Sequence, residues 1–281
     1  MRKNIVRPAF STLLLSLVAL AAVAADDSAS PDTEIWRKVR ADLFGDRPIA
    51  ADAGSRIVLE IPARAADAAV VPLAVHVRAS PDEVPTRKLY VIIDRNPSPI
   101  AGIFEFGDAS GSPDLETRVR IEEYTWVRVI AERADGSLLM TQRYIKAAGG
   151  CSAPAGKSMA ERLAGMGQMK WRIDRAADSP GPVLVQLMIR HPNNSGLAMD
   201  QLTHLYDPPY YVRSVRVTSG DELVLAADVD FSISENPAFR FTLRPGAAGL
   251  LRAKVVDSSG RMFESSAPYR VVGNRLPRPP R

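Results

Sequence analysis

Cysteine is almost absent: Cys151 is the only one in 281 residues. No internal disulfide can form, so the scaffold of a small cross-linked secreted domain is excluded. Histidine is also scarce, and Cys151 with His76, His191 and His204 matches no zinc-ligand spacing, so neither metal nor cofactor is expected. A Cys-His hydrolase would need distant positions to converge, because no histidine lies near Cys151 in sequence. Aromatic residues make up 6% of the chain. A nucleic-acid partner calls for a basic patch interleaved with aromatics, and none is visible. After residue 24 no apolar run approaches the roughly 20 residues of a membrane helix, so no membrane anchor is expected.

What is present begins with Arg2, Lys3 and Arg7 ahead of an apolar run from Leu13 to Ala24 that closes in Ala22-Val23-Ala24. That is the pattern of a cleaved secretory leader, residues 1–24, and it implies an extracytoplasmic protein, periplasmic in a Gram-negative cell. Without those three cations the formal charge falls from +4 to about +1. The remaining basic bias lies in residues 274–281, a Pro/Arg-rich tail with Arg275, Arg278 and Arg281 that reads as a solvated end.

The rest is long enough for two domains. Ser30-Pro31 reads as the start of a helix with Ile35, Trp36, Val39 and Leu43 on one face. Period-two alternation follows at Ile57-Leu59-Ile61, Val71 to Val77, Leu89 to Ile93, Val119-Ile121, Val127 to Ala131 and Leu139 to Ile145. Turn signals such as Asp94-Arg95-Asn96-Pro97 and Asp135-Gly136 end these runs. A second set begins after residue 178 with Val183 to Ile189, Val212 to Val217, Leu223 to Val229, Phe239 to Leu243, Leu250 to Val256 and a last strand after Gly260. Strands this short and frequent predict a mainly β fold of two antiparallel sandwiches, residues 30–148 and 179–273, with a short N-terminal helix.

Between them, residues 149–178 form a cysteine arm and a linker helix. Ser158 and Glu161 stand at capping-box spacing, and Met159, Leu163 and Met166 give an apolar stripe. Cys151 sits between Gly149-Gly150 and Ser152-Ala153-Pro154. An unpaired thiol in an exported protein is either a small buried hydrophobe or a working group. The small, flexible neighbours Gly149, Gly150, Ser152 and Ala153 favour an exposed, working thiol. Lys146 and Lys157 are the candidate cations to stabilise its thiolate.

The segment Lys146 to Cys151 resembles the glycine-flanked cysteine arm of SoxY, and Trp36, Phe44, Ile61-Pro62-Ala63-Arg64-Ala65 and Val70-Val71-Pro72 are similar to the same family. Ile189-Arg190-His191-Pro192, Ser195-Gly196-Leu197, Pro208 to Val212, Ile233 to Pro237 and Asp257-Ser258-Ser259-Gly260 resemble SoxZ, its heterodimer partner. The chain looks like a fused SoxYZ-like carrier of the kind associated with quinoprotein dehydrogenases. The resemblance implies immunoglobulin-like sandwiches that pair within one chain, covalent attachment of a substrate at Cys151, and clients that are periplasmic redox enzymes of Sox type or a quinoprotein dehydrogenase with its cytochrome. Two departures stand out. SoxY ends with its cysteine, whereas here a second domain follows, and Ser152-Ala153-Pro154 replaces the trailing glycines.

Arg118, Arg120 and Arg128 alternate on strands as a solvated face able to receive an anionic partner or cargo, and His191 reads as a loop residue that could also meet a partner. Three functions follow: a covalent carrier without turnover of its own, a non-covalent assembly module in which Cys151 is incidental, and, least supported, a thiol enzyme.

Overall fold

The structure is a computed structural model that describes residues 31–78, 83–153, 159–174, 182–200, 204–244 and 249–269. The leader, Ser30, Lys157, Ser158 and the tail from residue 274 lie outside the described residues.

Helix α1 (Glu34–Phe44) opens the fold. Its cap is Thr33, whose hydroxyl accepts the Trp36 N–H at 3.0 Å and donates to Asp94 at 2.9 Å. The cap is therefore Thr33, three residues beyond the expected Ser30, and it ties the helix start to the turn at Asp94. The buried face is Trp36, Val39 and Phe44, while Ile35 points out.

Eight strands follow: β1 (Ile49–Ala51), β2 (Ile57–Glu60), β3 (Val71–Val77), β4 (Thr86–Ile93), β5 (Ile100–Phe106), β6 (Leu115–Val119), β7 (Thr125–Arg133) and β8 (Leu138–Ile145). The short helix α2 (Met159–Leu163) leads into β9 (Met169–Asp174), β10 (Val183–Ile189), β11 (Val212–Ser219), β12 (Glu222–Val229), β13 (Ala238–Leu243), β14 (Gly249–Asp257) and β15 (Met262–Tyr269). The linker of the sequence reading thus carries a strand. β9 alternates Met169, Trp171 and Ile173 inward and pairs with β10.

These strands build two layers, a nine-stranded sheet in the order β1-β8-β7-β4-β5-β12-β11-β14-β15 and a six-stranded sheet in the order β2-β3-β6-β13-β10-β9. Each half of the chain supplies strands to both layers, which makes each half a sandwich. The halves then join edge to edge. β5 pairs antiparallel with β12 from Gly102↔Val229 to Phe106↔Leu225, and β6 meets β13 at Glu116↔Arg240. One apolar cluster runs through the join, with Phe104 of β5 against Phe239 of β13. Edge pairing satisfies backbone groups that a free edge would expose to another chain.

A second, smaller cluster lies on the outer face of the large sheet, where Trp36, Val39 and Phe44 cover Ile92, Ile130 and Leu138. Arg128 is part of this cover and not of a solvated face: it is 1% exposed, bonds Asp94 through two nitrogens at 2.7 and 2.8 Å, and stacks on Trp36. Asp94 and Asn96 do lie in the expected turn, yet both are buried.

Candidate functional site

The arm that leaves β8 presses against the loop between β6 and β7. That loop is itself pinned: Ile121 N–H donates to the Ala68 carbonyl at 2.9 Å, Glu122 N–H to Asn96 Oδ1 at 2.9 Å, and Arg120 N–H to the Ser232 carbonyl at 2.7 Å. Gly149 and Gly150 donate to the carbonyls of Glu122 and Ile121 at 2.8 and 2.9 Å. Gly149 adopts φ +80°, a left-handed conformation that favours glycine. At Gly150 a β-carbon would lie 2.0 Å from the Ala68 carbonyl oxygen. The glycines therefore serve close approach to the body, where the sequence suggested they hold the arm away from it.

Glu122 is the latch. One carboxylate oxygen accepts the N–H groups of Cys151 and Ser152 at 2.8 and 3.1 Å, and the other accepts the Ser152 hydroxyl at 2.8 Å. From the second half, the Ser195 hydroxyl donates to the Cys151 carbonyl. Cys151 is consequently 2% exposed, which corrects the expectation of an open thiol. Ser152 and Ala153 are half-buried beside it.

Cys151 belongs to neither apolar cluster, and its charged neighbours are Glu122, Arg120 and Asp230. Burial, reinforced by Glu122, pushes the thiol up to about 12, with Arg120 opposing. The cation at the thiol is thus Arg120 and not Lys146, whose backbone pairs with Ala63 and Ala65. Arg120 is buried, with Nη1 donating to the Phe231 and Ile233 carbonyls at 2.8 and 2.7 Å, and burial pulls its pKa below the usual arginine value. Asp230 is raised, chiefly by its own burial. Arg118, half-buried, donates to the Asn236 carbonyl at 2.9 Å. Arg120 and Arg118 thus stitch the two halves together, where the alternation suggested a free cationic face.

His191 is fully buried, so it meets no partner in this conformation. The loop role holds: its Nδ1 accepts the Asn193 N–H at 3.1 Å. Burial pushes it down to about 4, against the pull of Asp257 at 3.8 Å. Beyond the arm, Leu163 of the expected stripe is exposed and Met166 is half-buried. The buried side chain is Arg162, which reaches Asn194 and Asp207 of the second half. Arg190 returns the contact by donating to the Ala164 carbonyl at the end of α2.

Sequence reasoning missed Glu122, Asp230 and Arg162. Ser195 was visible as part of Ser195-Gly196-Leu197, though nothing marked it as the residue that meets the arm. Among the described residues no group of three metal-ligating side chains converges. What the arrangement offers is one thiol, stored neutral in a polar seam between two domains, on a segment held by a few hydrogen bonds.

The family model described as sulfur oxidation protein SoxY matches residues 40–151, ending on Cys151 itself. The model described as sulphur oxidation protein SoxZ matches residues 171–268. No curated protein matches the chain.

Proposed function

We propose that this chain, which belongs to the SoxY and SoxZ families as one fused polypeptide, is a periplasmic carrier that holds a sulfur species on Cys151 and presents it to partner redox enzymes. Proteins of these families are carriers and not catalysts, and the chain is one of them. The observation that carries the reading is the placement of a buried thiol among Glu122, Arg120 and Asp230, outside both apolar clusters. A structural cysteine belongs in the core, where it packs as a small hydrophobe. A thiol in a polar slot held by breakable hydrogen bonds suits a store from which the arm departs.

In the docked state the raised pKa keeps sulfur neutral and unreactive, because the thiolate is the nucleophile. Opening returns it toward the ordinary value near 8.5. Loading then joins the thiolate to a sulfur anion through one S–S bond, and the two electrons released pass to the client enzyme. The leader supports the periplasm as the compartment, and the tandem of SoxY and SoxZ halves supports Sox-type clients, with a quinoprotein dehydrogenase and its cytochrome as the alternative set.

Intact mass of the protein purified from its native periplasm tests this directly. A mass increment on the peptide holding Cys151, lost in Cys151→Ser, is the expected result and names the cargo. The 2% exposure of Cys151 favours a second reading, an assembly module with an incidental cysteine. A thiol found unmodified, together with full pathway activity of Cys151→Ser, would establish that second reading.

A further inference from the structure

The outer face of the nine-stranded sheet is covered unevenly. Over β4 and β7 it lies under α1. Over β11 and β14 it is exposed, and it carries Arg213, Arg216, Arg252 and Lys254. Arg216 stands directly opposite Lys254 across the β11–β14 ladder, and Arg252 follows two residues along the same face, opposite Thr218. Directly opposed like charges destabilise a sheet, so this row works against folding. Other strand cations are neutralised, as in Lys88 with Glu105 and Arg240 with Glu116. None of these four makes an ion pair with a described residue, although Glu264 lies across from Lys254 and Asp228 across from Ser214.

Two hollows mark the face. One, of about 460 Å³, is lined by Arg216, Thr218, Arg252, Lys254, Glu264 and Ser266. The other, of about 580 Å³, has Arg213, Asp228 and Asp230 in its wall. Asp230, in the wall of the second hollow, is also a charged neighbour of Cys151.

We infer that this face is the docking surface for an acidic protein partner. A small inorganic anion fits poorly, because small-ligand sites enclose most of their ligand and these cations are all exposed. A protein surface bearing several carboxylates satisfies them together, and Val256, Ala226 and the exposed Met262 add apolar area between and beside them. Complementary charge steers encounter and fixes orientation. That the partner is a client of Cys151 rests on the carrier reading; that the face binds an acidic polypeptide does not.

The full chain is titrated by amide NMR with a short polyglutamate peptide, and separately with sodium sulfate at matched ionic strength. The peptide is expected to shift Arg216, Thr218, Arg252 and Lys254 and to bind about tenfold more weakly to the triple variant R216Q/R252Q/K254Q. The control R37Q/K38Q/R87Q removes as many cations from ion pairs elsewhere and is expected to bind as the parent does. Equal weakening in both variants, or shifts spread over all exposed cations, overturns the docking surface. Sulfate that occupies the same residues as tightly as the peptide also overturns it, in favour of a small-anion site. Cys151→Ser is expected to bind the peptide unchanged, so the docking result stands apart from the fate of the carrier reading.

Discussion

With its N–H held on Glu122, Cys151 reaches a reagent only when that carboxylate lets go. The latch consists of three hydrogen bonds to one carboxylate, and bonds to charged groups contribute roughly 1.5 to 3 kcal/mol each before the cost of ordering the arm. Glu122→Ala is therefore expected to raise the maleimide labelling rate of native Cys151 by about tenfold or more, since each 1.4 kcal/mol is a factor of ten in the opening equilibrium. An unchanged rate would show that the seam, and not the latch, hides the thiol. The pH dependence follows with its sign. The docked thiol has a pKa of about 12, above its value when free, so docking is fully stable below about pH 8.5 and weakens as pH rises toward 12. Labelling of the parent protein should keep accelerating above about pH 10, where a permanently exposed thiol would have reached its plateau. A plateau by about pH 10 would contradict the docked state.

At the scale of elements, the arm and α2 are fastened at both ends but by different means. Gly149 and Gly150 continue the hydrogen bonding on the first half, and Arg162 anchors the returning chain on the second. Because a β-carbon at position 150 meets the Ala68 carbonyl at 2.0 Å, Gly150→Ala should displace the arm while leaving the sheets in register. The expected result is faster labelling of Cys151 with a melting temperature lowered by no more than about 3 °C, as befits a change outside the core. A collapse of stability would mean that the arm contributes to the fold itself. α1 shows the opposite design. Its Arg128–Asp94 pair is buried under Trp36, and breaking such a pair leaves an uncompensated charge, so this element belongs to the permanent structure.

At the scale of the molecule, the two halves share both sheets and one apolar cluster. We propose that they remain two domains in the sense of the sequence division, with an interface made of strand edges. A protease site inserted between Pro154 and Ser158 should then give a nicked protein that elutes as a single species, because the β5–β12 ladder and the Phe104–Phe239 contact survive the cut. Fusion raises the effective concentration of one half near the other and needs no extra contact to do so. Two stable monomers on native chromatography would refute this.

The sequence by itself determined the mainly β class, most strands and the tandem of halves, because a strand with one buried face writes its period of two directly into the chain. Three strands escaped it for separate reasons. β1 spans three residues, β5 carries Gly102 on one face and the half-buried Ile100 and Ile103 beside the exposed Glu105, which blurs its alternation, and β9 does alternate but lay within a stretch assigned to the linker. The same period marked Arg120 and Arg128 as surface, since alternation tells one face from the other but not which face a neighbouring domain or helix will cover. Cys151 was legible as the singular residue, whereas its state was not. Glu122, Ser195 and Asp230 come from three separate loops, 29, 44 and 79 residues from Cys151 in sequence. Only the joining of the two sandwiches at their edges brings those loops together around the thiol, and so it was tertiary structure that decided whether the thiol stands open or closed.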